Sequence, residues 1–155
     1  MSRTFTEEEI SELKESGFAA SGTSRSRILS VLDLLVRFTD ERTGISASEI
    51  ARVIGICSGK PTSENAILKD LHQISESMPM GIRVAIPGHG ENVGFRAVSK
   101  PLSSEEAILI SDVLGTSSFI GEARKDEISS KVLAFSSDHD VDESVETVFV
   151  DRKTG

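Results

Sequence analysis

At 155 residues the chain is long enough to bury a core without metal or disulfide staples, and Cys57, its single cysteine, can close no intrachain bridge. No apolar run approaches the roughly 20 residues of a membrane helix, and residues 1–24 have neither a basic start nor an apolar middle, so the cytoplasm is the expected compartment. The net charge of −8 is unevenly spread: residues 1–23 hold −3 and residues 101–155 hold −7, whereas residues 24–100, with ten basic and eight acidic side chains, hold +2. The acid therefore lies outside the middle of the chain, where a nucleic-acid partner stays open, although long-range attraction from +2 would be modest.

Thr6 and Glu9 have the spacing of a capping box, and Ile10, Leu13 and Phe18 give the short helix that follows an apolar side. From Ser24 onward, Ile28, Leu29, Leu32, Leu35 and Val36 recur at spacings of three and four, which predicts a helix ending near Thr39-Asp40. Ser46 with Glu49 is a second capping box, opening a helix whose buried side is Ile50, Val53 and Ile54. Gly55 is expected to stop it, and residues 55–61, with two glycines and a proline, read as a turn that includes Cys57. A third helix starts at Thr62 or Ser63. It carries Ile67, Leu68, Leu71, Ile74 and Met78 on one side, and Asn65, Ala66, Lys69, His72, Gln73 and Glu76 on the other.

Residues 82–86 and 93–97 read as strands around a turn at 87–92. Ser103 with Glu106 opens a further helix with apolar Ile108, Leu109, Ile110 and Val113, ended by Gly115. Another runs from Gly121 or Glu122 to about Phe135, with Ile128, Val132 and Phe135 on a stripe that can pack against its predecessor as a hairpin. Their apolar residues either cover a core or form a dimer surface. Residues 136–143 are acidic and polar, the composition of a linker.

The expected fold is thus mainly α with a small β-hairpin: a winged helix-turn-helix followed by a helical hairpin. Residues 1–23 form a helical extension, 24–100 the winged unit, 101–137 the helical hairpin, and 138–155 an acidic tail or the start of a further domain. Residues 27–35 through Asp40-Glu41, then 45–50, resemble the N-terminal helix-turn-helix of bacterial WYL-domain transcription regulators. So does Leu68-Lys69-Asp70-Leu71, at the place of that family's Tyr-Arg-Asp-Leu-like signature, and 93–97 is similar to its Gly-Tyr-Tyr-Leu-type strand. Residues 101–113 and 117–120 are similar to the family's linker helices, so the resemblance spans roughly residues 24–137. This third helix has Glu64 and Asn65 where the family has adjacent arginines, and Ala66 at a usual Thr or Ser. With no Trp and no Tyr the motif that names the WYL domain is absent, and residues 145–153 stand where its first strand would begin. The chain then reads as a fragment of a longer regulator or as a short paralogue.

The resemblance implies a sequence-specific DNA-binding transcription regulator, with double-stranded DNA as partner and a homodimer formed through the N-terminal or C-terminal helices. In a helix-turn-helix the N-terminal part of the recognition helix enters the major groove. There Asn65 can pair with adenine and Lys69 can reach a guanine edge or a phosphate, with His72 and Gln73 further along the same face. Lys60, Thr62 and Ser63 stand where a helix N-terminus favours phosphate. Arg83 and Arg96 on the wing strands, and His89 and Asn92 near its tip, can touch the backbone or the minor groove. Arg25 and Arg27, at the start of the first long helix, are further phosphate candidates. The competing expectation is a winged unit that docks a protein instead, favoured by Glu64, Glu76 and the acidic tail.

No cofactor, metal or membrane partner is expected. His139 between Asp138 and Asp140 lacks the glycine and distal glutamate of a Ca²⁺ loop, and Pro87-Gly88-His89-Gly90 lacks the Lys-Ser/Thr of a phosphate loop. No catalytic residue and no enzymatic activity are expected, because the three histidines fall on a helix face, a wing tip and a linker, away from any nucleophile–base pair.

Overall fold

The computed structural model describes residues 1–99 and 101–135. In chain order these form α1 (Glu7–Glu15), α2 (Ser24–Phe38), α3 (Ala47–Ser58), α4 (Glu64–Ser77), β1 (Arg83–Ala85), β2 (Arg96–Ser99), α5 (Ser104–Thr116) and α6 (Glu122–Leu133), with a 3₁₀ turn at Pro79–Gly81. The architecture is mainly helical with one small antiparallel hairpin. Lys100 and residues 136–155, including His139 and the acidic tail, lie outside the described residues. Among the described residues no helix is long and apolar enough to cross a membrane.

The helix starts follow their caps. Thr6 Oγ1 accepts from the Glu9 amide at 3.2 Å while Glu9 Oε2 accepts from the Thr6 amide at 2.8 Å, and Ser103 and Glu106 repeat the exchange on α5. Ser46 completes only half of its expected box. Its hydroxyl accepts from the Glu49 amide at 3.2 Å, but Glu49 Oε1 turns to the Phe5 amide at 2.8 Å and to Arg52 Nη2 at 2.7 Å. The N-terminal segment and Arg52 have taken the carboxylate, which pins the approach to α1 onto α3.

Burial alone would push the Glu49 carboxyl up, but the bonds from Arg52 and Phe5 outweigh it and hold its pKa below the ordinary 4.5. A carboxyl depressed in the folded state stabilises above its unfolded pKa and is lost as the pH falls through its folded one. Acid titration should therefore loosen the N-terminal segment below about pH 4.5, and Glu49→Gln should flatten that limb of the stability–pH curve. Overlapping curves for the two proteins would refute the assignment.

The core is built where α2, α3 and α4 meet, around fully buried Val31, Leu34, Leu35, Ile50, Val53, Ile67 and Leu71. The inward face of α2 differs from the expected stripe. Val31 and Leu34 are fully buried, Ile28, Leu32 and Val36 only partly, and Leu29 points out at 66% exposure. α2 is apolar around much of its circumference, so periodicity alone selects the wrong centre.

Gly55 does not stop α3. The helix continues through Cys57 to Ser58 and ends at Gly59, whose φ of 70° supplies the left-handed cap that a side-chain-bearing residue resists. Cys57 is therefore a buried helical residue rather than part of the turn, with Sγ 3.8 Å from the Ile10 carbonyl oxygen. Burial raises the thiol pKa against a smaller opposing pull from Lys14. At the far end of α4, Met78 caps the helix in the left-handed region at φ 44° and is exposed rather than continuing the apolar side.

In the hairpin, Val84 pairs with Ala97 and Ala85 with Arg96, with an irregularity between Arg83 and Val84. The returning strand begins later than expected, because Phe95 is occupied elsewhere. The Phe95 amide donates to the Ile45 carbonyl at 2.8 Å, and the Ile45 amide donates to the Phe95 carbonyl at 3.0 Å. Buried Ile45 thereby adds a one-residue rung that ties the hairpin to the start of α3. Thr39 completes the joint, its buried Oγ1 accepting from the Ala97 amide at 2.8 Å.

α5 and α6 pack on each other. Lys125 Nζ donates to the Gly115 carbonyl at 3.1 Å and to Glu122 Oε1 at 3.2 Å, closing the hairpin. The inward side of α5 has Ala107 buried and Ser111 and Leu114 half-buried, and the small side chains of Ala107 and Ser111 let α6 approach closely. Leu109, Ile110 and Val113 consequently face outward, contrary to the sequence pattern, and Phe135 lies exposed beyond the end of α6.

Candidate nucleic-acid interface

The turn that delivers α4 is tied by its own hydroxyls. After Gly59, the Ser58 and Thr62 hydroxyls both donate to the Lys60 carbonyl, at 3.4 and 3.3 Å, and Ser63 Oγ then caps α4 by accepting from the Ala66 amide at 3.2 Å. α4 is held from behind by Ile67, Leu71 and Ile74, so its other side is the one presented outward. Asn65, Lys69, His72, Gln73 and Glu76 are all exposed on it, Ala66 is half-buried at its edge, and Glu64 is exposed at the first turn in line with Ile67 and Leu71. Asn65, Lys69 and Gln73 follow one another at four-residue spacing and so line one row.

A charged pair behind this row was not visible in the sequence. Asp70 is 7% exposed, and both its oxygens accept from Arg27 on α2, Nε to Oδ2 at 2.6 Å and Nη2 to Oδ1 at 3.1 Å. The hydrogen bond to Asp70 raises the Arg27 pKa against the opposing effect of burial. Spacing held the only hint: Asp70 is three residues after Ile67 and four before Ile74, on the inward flank of α4, where a carboxylate needs a partner.

The other candidates fall into three places. Arg25 lies exposed at the start of α2 and does not line the cleft of about 320 Å³ that opens between that start and the α3–α4 turn. The cleft is lined by Ser24, Ser26, Arg27, Lys60, Thr62 and Ser63 among others, with no carboxylate in its wall. The Lys60 stem lies over Gly22, where a Cβ would stand 3.2 Å from its Cδ, and no acidic partner pairs with its ammonium among the described residues. Lys60, Thr62 and Ser63 are thus brought together with Arg27 and the first turn of α2.

On the hairpin, Arg83, His89 and Asn92 are exposed, and Glu91 shares their loop by accepting from the Gly88 amide at 3.0 Å. Arg96 is turned away from them: its Nη1 donates to the Glu41 carbonyl at 2.6 Å and its Nε is buried. The structure therefore gathers the α4 row and the Lys60 cleft on neighbouring elements, and commits Arg27 and Arg96 to internal bonds. Among the described residues no cluster of His, Cys, Asp and Glu could hold a metal ion. No protein-family model, curated protein or solved structure matches the chain.

Proposed function

We propose that the chain is a sequence-specific DNA-binding transcriptional regulator, a winged helix-turn-helix of the WYL-regulator kind with α4 in the major groove and the β1–β2 hairpin on the backbone. The observation that carries this reading is the polar face of α4, which no described residue covers and which is backed by α2 and α3, with Lys69 in its row and Lys60 beside its N-terminus. Asn65 then meets adenine, Lys69 a guanine edge or phosphate, and His72 and Gln73 the following positions. The hydroxyl-lined cleft with Lys60, Thr62 and Ser63 receives backbone phosphate, as do exposed Arg25 at the start of α2 and exposed Arg83, His89 and Asn92 on the wing. Arg27 and Arg96 act from behind, by holding α4 and the loop before α3.

Glu76, exposed on the same face, and Glu64, exposed at the start of α4, favour a second reading in which the face docks a protein. Selection of duplexes from a random pool by the full chain separates the two. Enrichment of one sequence is expected. On that sequence Lys69→Ala should cost about 1–3 kcal/mol and relax preference at one position, whereas Lys60→Ala should weaken all duplexes alike and reduce the salt slope by about 1. A pool that stays random at low and moderate salt would refute DNA reading and leave the docking face.

A further inference from the structure

The cleft between the start of α2 and the α3–α4 turn holds cationic and hydroxyl donors that the fold leaves unused. The Lys60 side chain folds back over Gly22, where a Cβ would stand 3.2 Å from its Cδ and 3.5 Å from its Nζ. The lysine stem thereby spans from the α3–α4 turn to the α1–α2 turn, with its ammonium unpaired among the described residues. Arg27 lines the same cleft, and its bonds to Asp70 use Nε and Nη2, which leaves Nη1 with no partner among the described residues. The Ser24 hydroxyl likewise makes no hydrogen bond among the described residues, and Ser63 Oγ, which accepts from the Ala66 amide, keeps its own hydrogen to donate. No carboxylate competes for these donors, because both Asp70 oxygens face Arg27 and Glu64 is outside the wall. Apolar Ala19, Ile54 and Pro61 complete the lining.

We propose that this cleft binds a small phosphate monoester, its phosphate on Lys60, Arg27 Nη1 and the Ser24 and Ser63 hydroxyls and its carbon end against the apolar lining. The phosphate of a monoester carries about −1.5 to −2 charges and three strong acceptor oxygens, which matches a site of two cations and two hydroxyls. A phosphate of the DNA backbone is a diester, with one charge, two free oxygens and a sugar on either side, so it meets the cleft only at its rim. The volume of about 320 Å³ is more than a phosphate group alone fills and reaches the roughly 300–1,000 Å³ of small-molecule sites. The first turns of α2 and α4 both line the cleft, and their dipoles add to the attraction that the two cations supply. A ligand seated there occupies Lys60 and so competes with DNA. That competition rests on the DNA-binding reading, whereas the binding itself does not.

Binding is measured on the full chain without nucleic acid, by amide chemical-shift titration with inorganic phosphate, ribose 5-phosphate, ribose and dimethyl phosphate. Inorganic phosphate and ribose 5-phosphate should shift the amides of Gly22, Ser24, Lys60 and Ser63, the sugar phosphate saturating at about 1 mM or below. Ribose should shift none of them, and dimethyl phosphate, the diester probe, should bind at least about tenfold more weakly. Lys60→Gln should weaken ribose 5-phosphate about tenfold or more, while Lys131→Gln on α6 should leave it unchanged; both lysines are exposed, so the fold is kept. Saturating ribose 5-phosphate should also lower the affinity for a duplex recovered from the random pool. If the pool yields no duplex, the titration without DNA still decides the site. The proposal is overturned if neither phosphate saturates by roughly 10 mM, if dimethyl phosphate binds equally well, or if Lys60→Gln changes nothing. An unchanged duplex affinity would overturn the competition alone.

Discussion

Replacing Gly94 with alanine is expected to break the joint between the hairpin and the helical body. Gly94 has a φ of 76°, and a Cβ there would stand 2.6 Å from the carbonyl carbon of Ile45 and 2.7 Å from its nitrogen. Those atoms belong to the rung that pairs Ile45 with Phe95, and both residues are buried, so neither strand can step aside. The left-handed backbone costs a non-glycine residue about 1–2 kcal/mol, and losing the two rung hydrogen bonds adds about 1 kcal/mol each. The total, about 3–4 kcal/mol, is a large part of the stability of a small domain. Gly90→Ala is the control. Gly90 shares the positive φ, at 86°, but a Cβ there meets nothing within 4 Å, so only the backbone cost of about 1–2 kcal/mol applies. Urea unfolding should show a far lower midpoint for the first variant than for the second, and equal midpoints would contradict the tight joint.

The second large effect concerns the strut behind α4. Asp70→Ala leaves the Arg27 guanidinium, only 22% exposed, without the carboxylate that holds two of its donors. Removing one partner of a mostly buried pair should cost about 3 kcal/mol, because the remaining charge stays desolvated. Arg27→Met combined with Asp70→Leu should recover much of that loss, since apolar side chains of similar volume carry no desolvation penalty. A double-mutant cycle by chemical unfolding measures the coupling directly. A coupling below about 0.5 kcal/mol would mean that the pair behaves like an exposed surface bridge and does not fix α4 against α2.

Helix starts were easier to read than helix ends, for a physical reason. Thr6, Ser46, Ser63 and Ser103 each cap through a side chain that the sequence displays, whereas an end depends on a backbone angle. Gly55 and Gly59 look alike as letters, but only Gly59 takes the left-handed conformation. Inner faces followed the same logic. α3 and α4 each carry apolar residues on one side, so Ile50, Val53, Ile54, Ile67, Leu71 and Ile74 were legible as core. α5 is apolar on both sides, and close approach to α6 through Ala107 decided the matter against Leu109 and Val113.

The candidate site divides the same way. Asn65, Lys69, His72 and Gln73 share a face by helical spacing alone, and the structure leaves all four exposed. The positions of Arg27 and Arg96 depended on partners far along the chain, Asp70 at a separation of 43 residues and the Glu41 carbonyl at 55. The place of Asp70 on the inward flank of α4 calls for a partner without naming it, and the Glu41 carbonyl carries no local signal. The Ile45 rung was equally hidden, because a single residue has no alternation to reveal a strand.

Amide chemical-shift mapping of the full chain, titrated with a duplex recovered from the random pool, tests DNA reading most directly. The largest shifts should fall on Asn65, Lys69, His72 and Gln73, on Lys60, Thr62 and Ser63, and on the exposed hairpin positions Arg83, His89 and Asn92, all weakening as salt is raised. Shifts confined to α5 and α6, or an unchanged spectrum at low salt, would contradict it.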